Sequence, residues 1–304
     1  MSDMSDYPGA ARPDRQRMVD SSGVGIAVSE WGPPDAPPLL LAHGGFDFAG
    51  TFDVFAPMLA EGGWRVVAWD QRGHGDSDHA GLYSWAADVR DALAVADATS
   101  LEPIPFVGHS KGGGLTIELA QLHPTRASCL VNIDGLPSDD QPDVPDHDRT
   151  RMLADELVDW LDHHRGIHGK QRRPGTVEEL ARRRGRMNPR LSAEWLQYLV
   201  TVGARRDADG WRWKIDPALR FGGFGPWRPT WSLERMAGLR LPFLAILGLQ
   251  TEVMGWDTRP DDVAEYFPDG ATVEAWDDVG HFVHIEQPRR VADTVLEFLA
   301  TADG

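Results

Sequence analysis

The sequence predicts an α/β domain on a mostly parallel sheet, interrupted by a helical insertion, and three observations carry that reading. Short runs bounded by turn residues alternate with helical patterns. Those runs are apolar almost throughout, not at every second residue, which marks strands covered on both faces. The rhythm then fails for about a hundred residues in mid-chain, too long for an unstructured loop in a compact domain.

The elements follow in order. MSDMSDYPGAARPDRQR is polar and lacks the apolar centre of a secretory signal, so residues 1–15 read as a flexible tail. RQRMVDSSGVGIAVSEWG (15–32) reads as a hairpin turning at Ser22 and Gly23. PPLLLAHG (37–44), WRVVAWD (64–70), PIPFVGH (103–109), ASCLVNID (127–134) and LPFLAILG (241–248) read as buried strands. ATVEAWD (271–277) is mixed and suits a strand nearer an edge. Leu115, Leu119 and Leu122 share a helical face that Pro124 closes. Pro260, with Asp261 and Asp262, opens another helix, and Pro288 opens the last, faced by Val291, Val295 and Phe298.

The insertion holds three helical patterns and no convincing buried strand. Leu153, Leu157, Trp160 and Leu161 share the first face; Thr176 to Glu179 form a capping box opening the second; Leu196, Leu199 and Val200 mark the third. Its beginning, PSDDQPDVPDHD, is acidic and proline-rich, and its end, FGGFGPWRPTW, is rich in glycine and aromatics. Residues 136–235 are therefore expected to form a helical cap, with 16–135 and 236–304 forming the core. Trp211, Trp213, Trp227 and Trp231 are expected mainly to hold that cap together, the alternative being a pocket lining. The basic run ARRRGRMNPR (181–190) is expected to be a solvated helix face rather than an anion site.

A formal net charge of −17 argues against nucleic acid or an anionic membrane as partner. The single cysteine, Cys129, excludes an internal disulfide and sits in an apolar run, as a buried structural thiol would. No apolar run is long enough to span a bilayer, and a cytoplasmic location is expected.

The chemistry is concentrated at strand ends. Gly108-His109-Ser110-Lys111-Gly112 matches G-x-S-x-G, with a buried strand before it and a helix after it. A nucleophile on such a tight turn has strained backbone angles, and its glycine neighbours relieve collisions with adjacent chain. The turn also places the hydroxyl at a helix N-terminus, where N–H groups favour developing negative charge. Ser110 is thus the candidate nucleophile.

LLLAHGG (39–45), AWDQRGHGDSD (68–78), VGHSKGG (107–113) and DDVGHFVHIEQP (277–288) occur in an order that resembles the α/β-hydrolase superfamily. The resemblance covers roughly residues 20–300. It implies a central sheet of about eight strands, a serine–acid–histidine triad, and a cap inserted after the sixth strand. It also implies that His281 is the base for Ser110, a role imidazole suits near neutral pH. His284 is expected to be structural or cap-facing, and His43 to fix its loop. For the oxyanion, the resemblance implies the amide of Lys111 and a second from Gly45, or alternatively Phe46. Phe46 and Trp227 are candidate substrate-binding residues.

The acid stays open between two sites. The loop after the strand 241–248 offers Glu252, with Asp257 farther on; the end of the strand 127–134 offers Asp134, which is favoured because a strand end holds a carboxylate firmly. Asp70 and Asp76 are expected to be structural turn residues.

The activity so implied is acyl transfer on a small, apolar carboxylester or lactone through an acyl-enzyme, without metal or organic cofactor. Thioesters, amides and carbon–carbon bonds remain open as substrates. Epoxide hydrolase and haloalkane dehalogenase chemistries are disfavoured, since they use aspartate where Ser110 stands. The alternatives are a ligand sensor with little turnover and a cofactor-free oxidative enzyme.

Overall fold

A computed structural model describes residues 6–137, 146–167, 169–219 and 230–302. β1 (Arg15–Asp20) and β2 (Gly25–Trp31) form the first hairpin, and Ser22 (φ 54°) and Gly23 (φ 84°) make its turn. β3 (Pro38–Ala42), α1 (Phe55–Glu61), β4 (Arg65–Trp69) and α2 (Trp85–Thr99) follow. Next come β5 (Ile104–His109), α3 (Lys111–Leu122) and β6 (Ala127–Ile133). After the inserted segment, β9 (Phe243–Gly248), β10 (Thr272–Trp276), α8 (Val283–Glu286) and α9 (Pro288–Ala302) complete the core.

These strands form one eight-stranded sheet in the order β1-β2-β4-β3-β5-β6-β9-β10. The β1–β2 and β2–β4 pairs are antiparallel, and every later pair is parallel. The strands alternate sides as strand geometry requires, yet both sides are buried. Leu40, Ala42, Val67, Trp69, Phe106 and Leu130 enter one core. Leu39, Leu41, Val66, Ala68, Val107 and Val131 enter the other. Helices on both faces therefore account for the unbroken apolar runs. β10 lies at the sheet edge, as its mixed composition requires.

The inserted segment carries α4 (Asp146–Ile167), α5 (Val177–Gly185), α6 (Ala193–Gly203) and α7 (Thr230–Met236). The expected capping box on α5 forms: the Thr176 hydroxyl accepts from Glu179 N, and the Glu179 carboxylate accepts from Thr176 N. Leu196, Leu199 and Val200 of α6 are buried against Trp195, Tyr198 and Leu180.

Four expectations are modified. A small hairpin of β7 (Ala204–Asp207) and β8 (Gly210–Trp213) lies within the insertion. Its strands, ARRD and GWRW, are four residues each, too short to show a pattern. On α4 only Trp160 is buried of the described face, while Leu157 and Leu161 are exposed. The segment opened by Pro260 is a 3₁₀ turn of Pro260–Tyr266 rather than an α-helix. Finally, the tail is held along residues 7–12. Tyr7 packs edge-on against Trp195, the Ala11 carbonyl accepts from the Trp31 indole, and Arg12 pairs with buried Asp53. Aromatic and cationic side chains here give a polar terminus something to bind.

Candidate active site

The site assembles where β5, β6 and β9 end. Ser110 is the residue between β5 and α3, with φ 53° and ψ −124°, a left-handed backbone that an L-residue adopts only under constraint. Glycine on either side makes that turn feasible. A Cβ at Gly108 would strike the Gly112 carbonyl, and one at Gly112 would strike the Ala42 carbonyl on β3. The Ser110 amide is anchored to the Ile133 carbonyl at 3.0 Å, which ties the turn to the neighbouring strand.

His281 lies between β10 and α8 and is buried. Its Nε2 stands 2.9 Å from Ser110 Oγ, and its Nδ1 stands 2.6 Å from Asp134 Oδ2. A carboxylate can only accept, so Nδ1 carries the ring proton and Nε2 presents its lone pair to the serine. That is the tautomer a base needs.

Asp134, just beyond β6, also has a positive φ of 46°. Its amide donates to the Ile246 carbonyl and its second oxygen accepts from Gly248 N at 2.9 Å, so β9 holds it at both ends. Glu252 does not touch the imidazole. Its Oε2 accepts the His281 backbone N–H at 2.7 Å, and burial raises its carboxyl above the usual range. Asp257, at φ 53°, is exposed.

The H-G-G turn abuts the serine: a Cβ at Gly44 would sit 3.1 Å from Ser110 Cβ. His43 fixes this turn as expected. Its Nε2 accepts from Gln71 N at 2.9 Å, so Nδ1 donates to the Gly44 carbonyl at 2.7 Å. Full burial pushes its pKa down to about 3, keeping it neutral. Lys111 follows the serine as the first residue of α3, and Gly45 follows Gly44 in the H-G-G turn. The Phe46 amide donates to His74 Nε2 at 3.3 Å.

The Lys111 side chain has a structural role. Its ammonium donates to Gln71 Oε1 at 2.6 Å and pairs with buried Asp88 at 2.7 Å. Gln71 in turn donates to the His43 carbonyl at 2.6 Å. The residue after Ser110 thereby steadies the H-G-G turn through Gln71. Asp70 is structural, accepting from Ala49 N and Asp76 N, both at 2.7 Å. Burial lifts its pKa to about 6.

His109 donates from Nε2 to the His281 carbonyl at 2.9 Å, fixing the histidine loop from below. His284 is structural, enclosed by Phe52, Phe55, His109 and Phe282. Burial lowers its pKa to about 3.

One contributor was missed in the sequence. Arg184, on α5, donates to the Phe46 carbonyl at 2.8 Å, pairs with buried Asp47, and lies over the Phe282 ring. The run 181–190 is therefore solvated only in part. Arg182 and Arg186 are exposed, whereas Arg183 and Arg184 are half-buried. A helical phase of 100° per residue applied to the capping box at Thr176 was the signal that could have separated them. Phe46 lines a cavity of about 320 Å³ beside Arg184. Trp227 lies outside the described residues. Trp213 lines the same cavity and, with Trp211, packs against the buried cluster of α5 and α6.

Among the described residues, no group of three or more His, Cys, Asp or Glu side chains could hold a metal ion. No described helix is long and apolar enough to cross a membrane.

A family model described as alpha/beta hydrolase fold matches residues 37–288. A serine hydrolase-like protein from Dictyostelium discoideum is 35% identical over 130 residues, which span 40% of this chain and 36% of that protein, about a third of its length. A serine hydrolase-like protein from Danio rerio is 24% identical over 278 residues, covering 88% of this chain and 83% of that protein. Among solved structures, a hypothetical protein from Pseudomonas aeruginosa PAO1 superposes with a TM-score of 0.77 at 26% identity, over 94% of this chain and 99% of its own.

Proposed function

The chain belongs to the alpha/beta hydrolase fold family as a serine-type hydrolase, and from that premise we propose that it cleaves a small carboxylester or lactone through an acyl-enzyme at Ser110. The observation that supports this reading is the hydrogen-bonded series from Ser110 Oγ through His281 to Asp134.

Chemically, His281 Nε2 takes the hydroxyl proton as Ser110 Oγ attacks the carbonyl carbon. Asp134 stabilises the imidazolium without taking its proton. The amides of Lys111 and Gly45 receive the oxyanion. The imidazolium then protonates the leaving alcohol, and the same nitrogen activates water to release the acid and restore the serine. Each amide of the oxyanion pair is expected to contribute roughly 3–4 kcal/mol to the transition state.

The test is hydrolysis of a short-chain 4-nitrophenyl ester by the purified protein and by Ser110→Ala. Loss of turnover in the variant is expected. Wild-type activity that survives the substitution overturns the mechanism.

A further inference from the structure

The cavity beside Phe46 is unusual in charge. Of its nine lining residues four are arginines, Arg172, Arg173, Arg183 and Arg184, and none is acidic. This concentration occurs in a chain of net charge −17, so average composition does not explain it.

The neighbouring carboxylates offset that charge only in part, Asp216 acting on Arg172 through space. Asp47 pairs with Arg184, but Glu179 comes no nearer to Arg183 than 3.9 Å. Arg183 donates to the main-chain carbonyls of Arg173 and Pro174, and Arg172 to those of Ile215, Asp216 and Leu219. Main-chain carbonyls satisfy N–H groups without cancelling a full charge. Arg184 also has a buried Nε–H with no partner among the described residues.

Two of the cavity's walls are tied to segments that neighbour the serine site. Phe46, on its wall, follows Gly45, and Arg184 lies over Phe282, the neighbour of His281. Because Phe46 belongs to the loop assigned to the carbonyl oxygen, the acyl chain is the part of an ester that passes it. Met187 and Trp213 give the same cavity apolar wall for a short chain.

We propose that this cavity binds a carboxylate at the far end of the substrate's acyl chain, so that the preferred substrates are monoesters of dicarboxylic acids. The assignment rests on the acyl-transfer reading of Ser110. Guanidinium forks match carboxylate geometry, and the apolar wall beside them suits the methylenes of an acyl chain.

The experiment compares nitrophenolate release from mono(4-nitrophenyl) adipate and 4-nitrophenyl hexanoate, which have equal chain lengths and differ in the terminal carboxylate. Wild type is expected to prefer the adipate by about tenfold or more in kcat/KM, the scale of one charged hydrogen bond. Arg173→Gln/Arg183→Gln should erase that preference and leave hexanoate turnover within about twofold. Arg183→Lys should retain part of the preference. Arg173→Gln alone, on an exposed side chain, carries the comparison if the double variant fails to fold.

Calorimetric binding of adipate to Ser110→Ala, with and without the arginine substitutions, separates the two readings. Hydrolysis of both esters without preference, with adipate binding indifferent to the arginines, overturns the cavity assignment and leaves the hydrolase. Arginine-dependent adipate binding in a protein that cleaves neither ester overturns the hydrolase reading and supports the cavity.

Discussion

Asp134 and Glu252 hold the same histidine at different ends: Asp134 Oδ2 meets the His281 ring at 2.6 Å, and Glu252 Oε2 meets the His281 backbone N–H at 2.7 Å. Only the first contact can set the tautomer and stabilise a charged ring. Asp134→Asn is therefore expected to lower kcat by about 10³–10⁴-fold, because an amide can stabilise the wrong tautomer. Glu252→Gln still offers an oxygen to the backbone N–H and should stay within about tenfold of wild type. Steady-state kinetics on a chromogenic ester decides it; the reverse ranking would transfer the acid's role to Glu252.

The second prediction concerns the pair of Arg184 and Asp47. Both are largely buried, and burial already raises the Asp47 carboxyl despite its arginine. Arg184→Met leaves that carboxyl alone in the interior and should cost about 3–5 kcal/mol of stability. Arg184→Met/Asp47→Leu removes both charges and should recover more than half of the loss. Urea denaturation of the two variants checks this. Equal stabilities would mean the ion pair is not what the single variant breaks.

His284 predicts an effect of pH on folding. Its pKa falls from 6.5 to about 3 on folding, so the unfolded chain binds the extra proton between those values. Stability from keeping the ring neutral is complete above pH 6.5 and lost as pH falls toward 3. His284→Leu lacks this liability. Relative to wild type, the variant should gain about 2 kcal/mol on going from pH 7.5 to pH 5. Denaturant melts at both pH values measure the difference, and a constant offset would refute the assignment.

Much of the core was legible because strands buried on both faces leave no polar positions to confuse the pattern. Val66 and Val67 point to opposite sides of the sheet, and both find helices. Ser110 was legible because its turn demands glycine at Gly108 and Gly112 for steric reasons that leave a mark in the sequence. The choice between Asp134 and Glu252 was not, since both follow adjacent strands and both bind His281. Which atom each one reaches depends on backbone direction, and the positive φ of Asp134 has no compositional sign. Arg183 and Arg184 were hidden for another reason. Consecutive arginines look alike, and only helix phase decides which of them meet solvent.

The reach of Arg184 from α5 to the loop of Phe46 and Asp47 bears on how this protein can be re-engineered. An inserted segment taken from a relative would be a keyed part rather than an interchangeable one. Unless the graft brought a cation to the same place, the recipient would need a neutral residue at Asp47, and insertion and scaffold would have to be altered together.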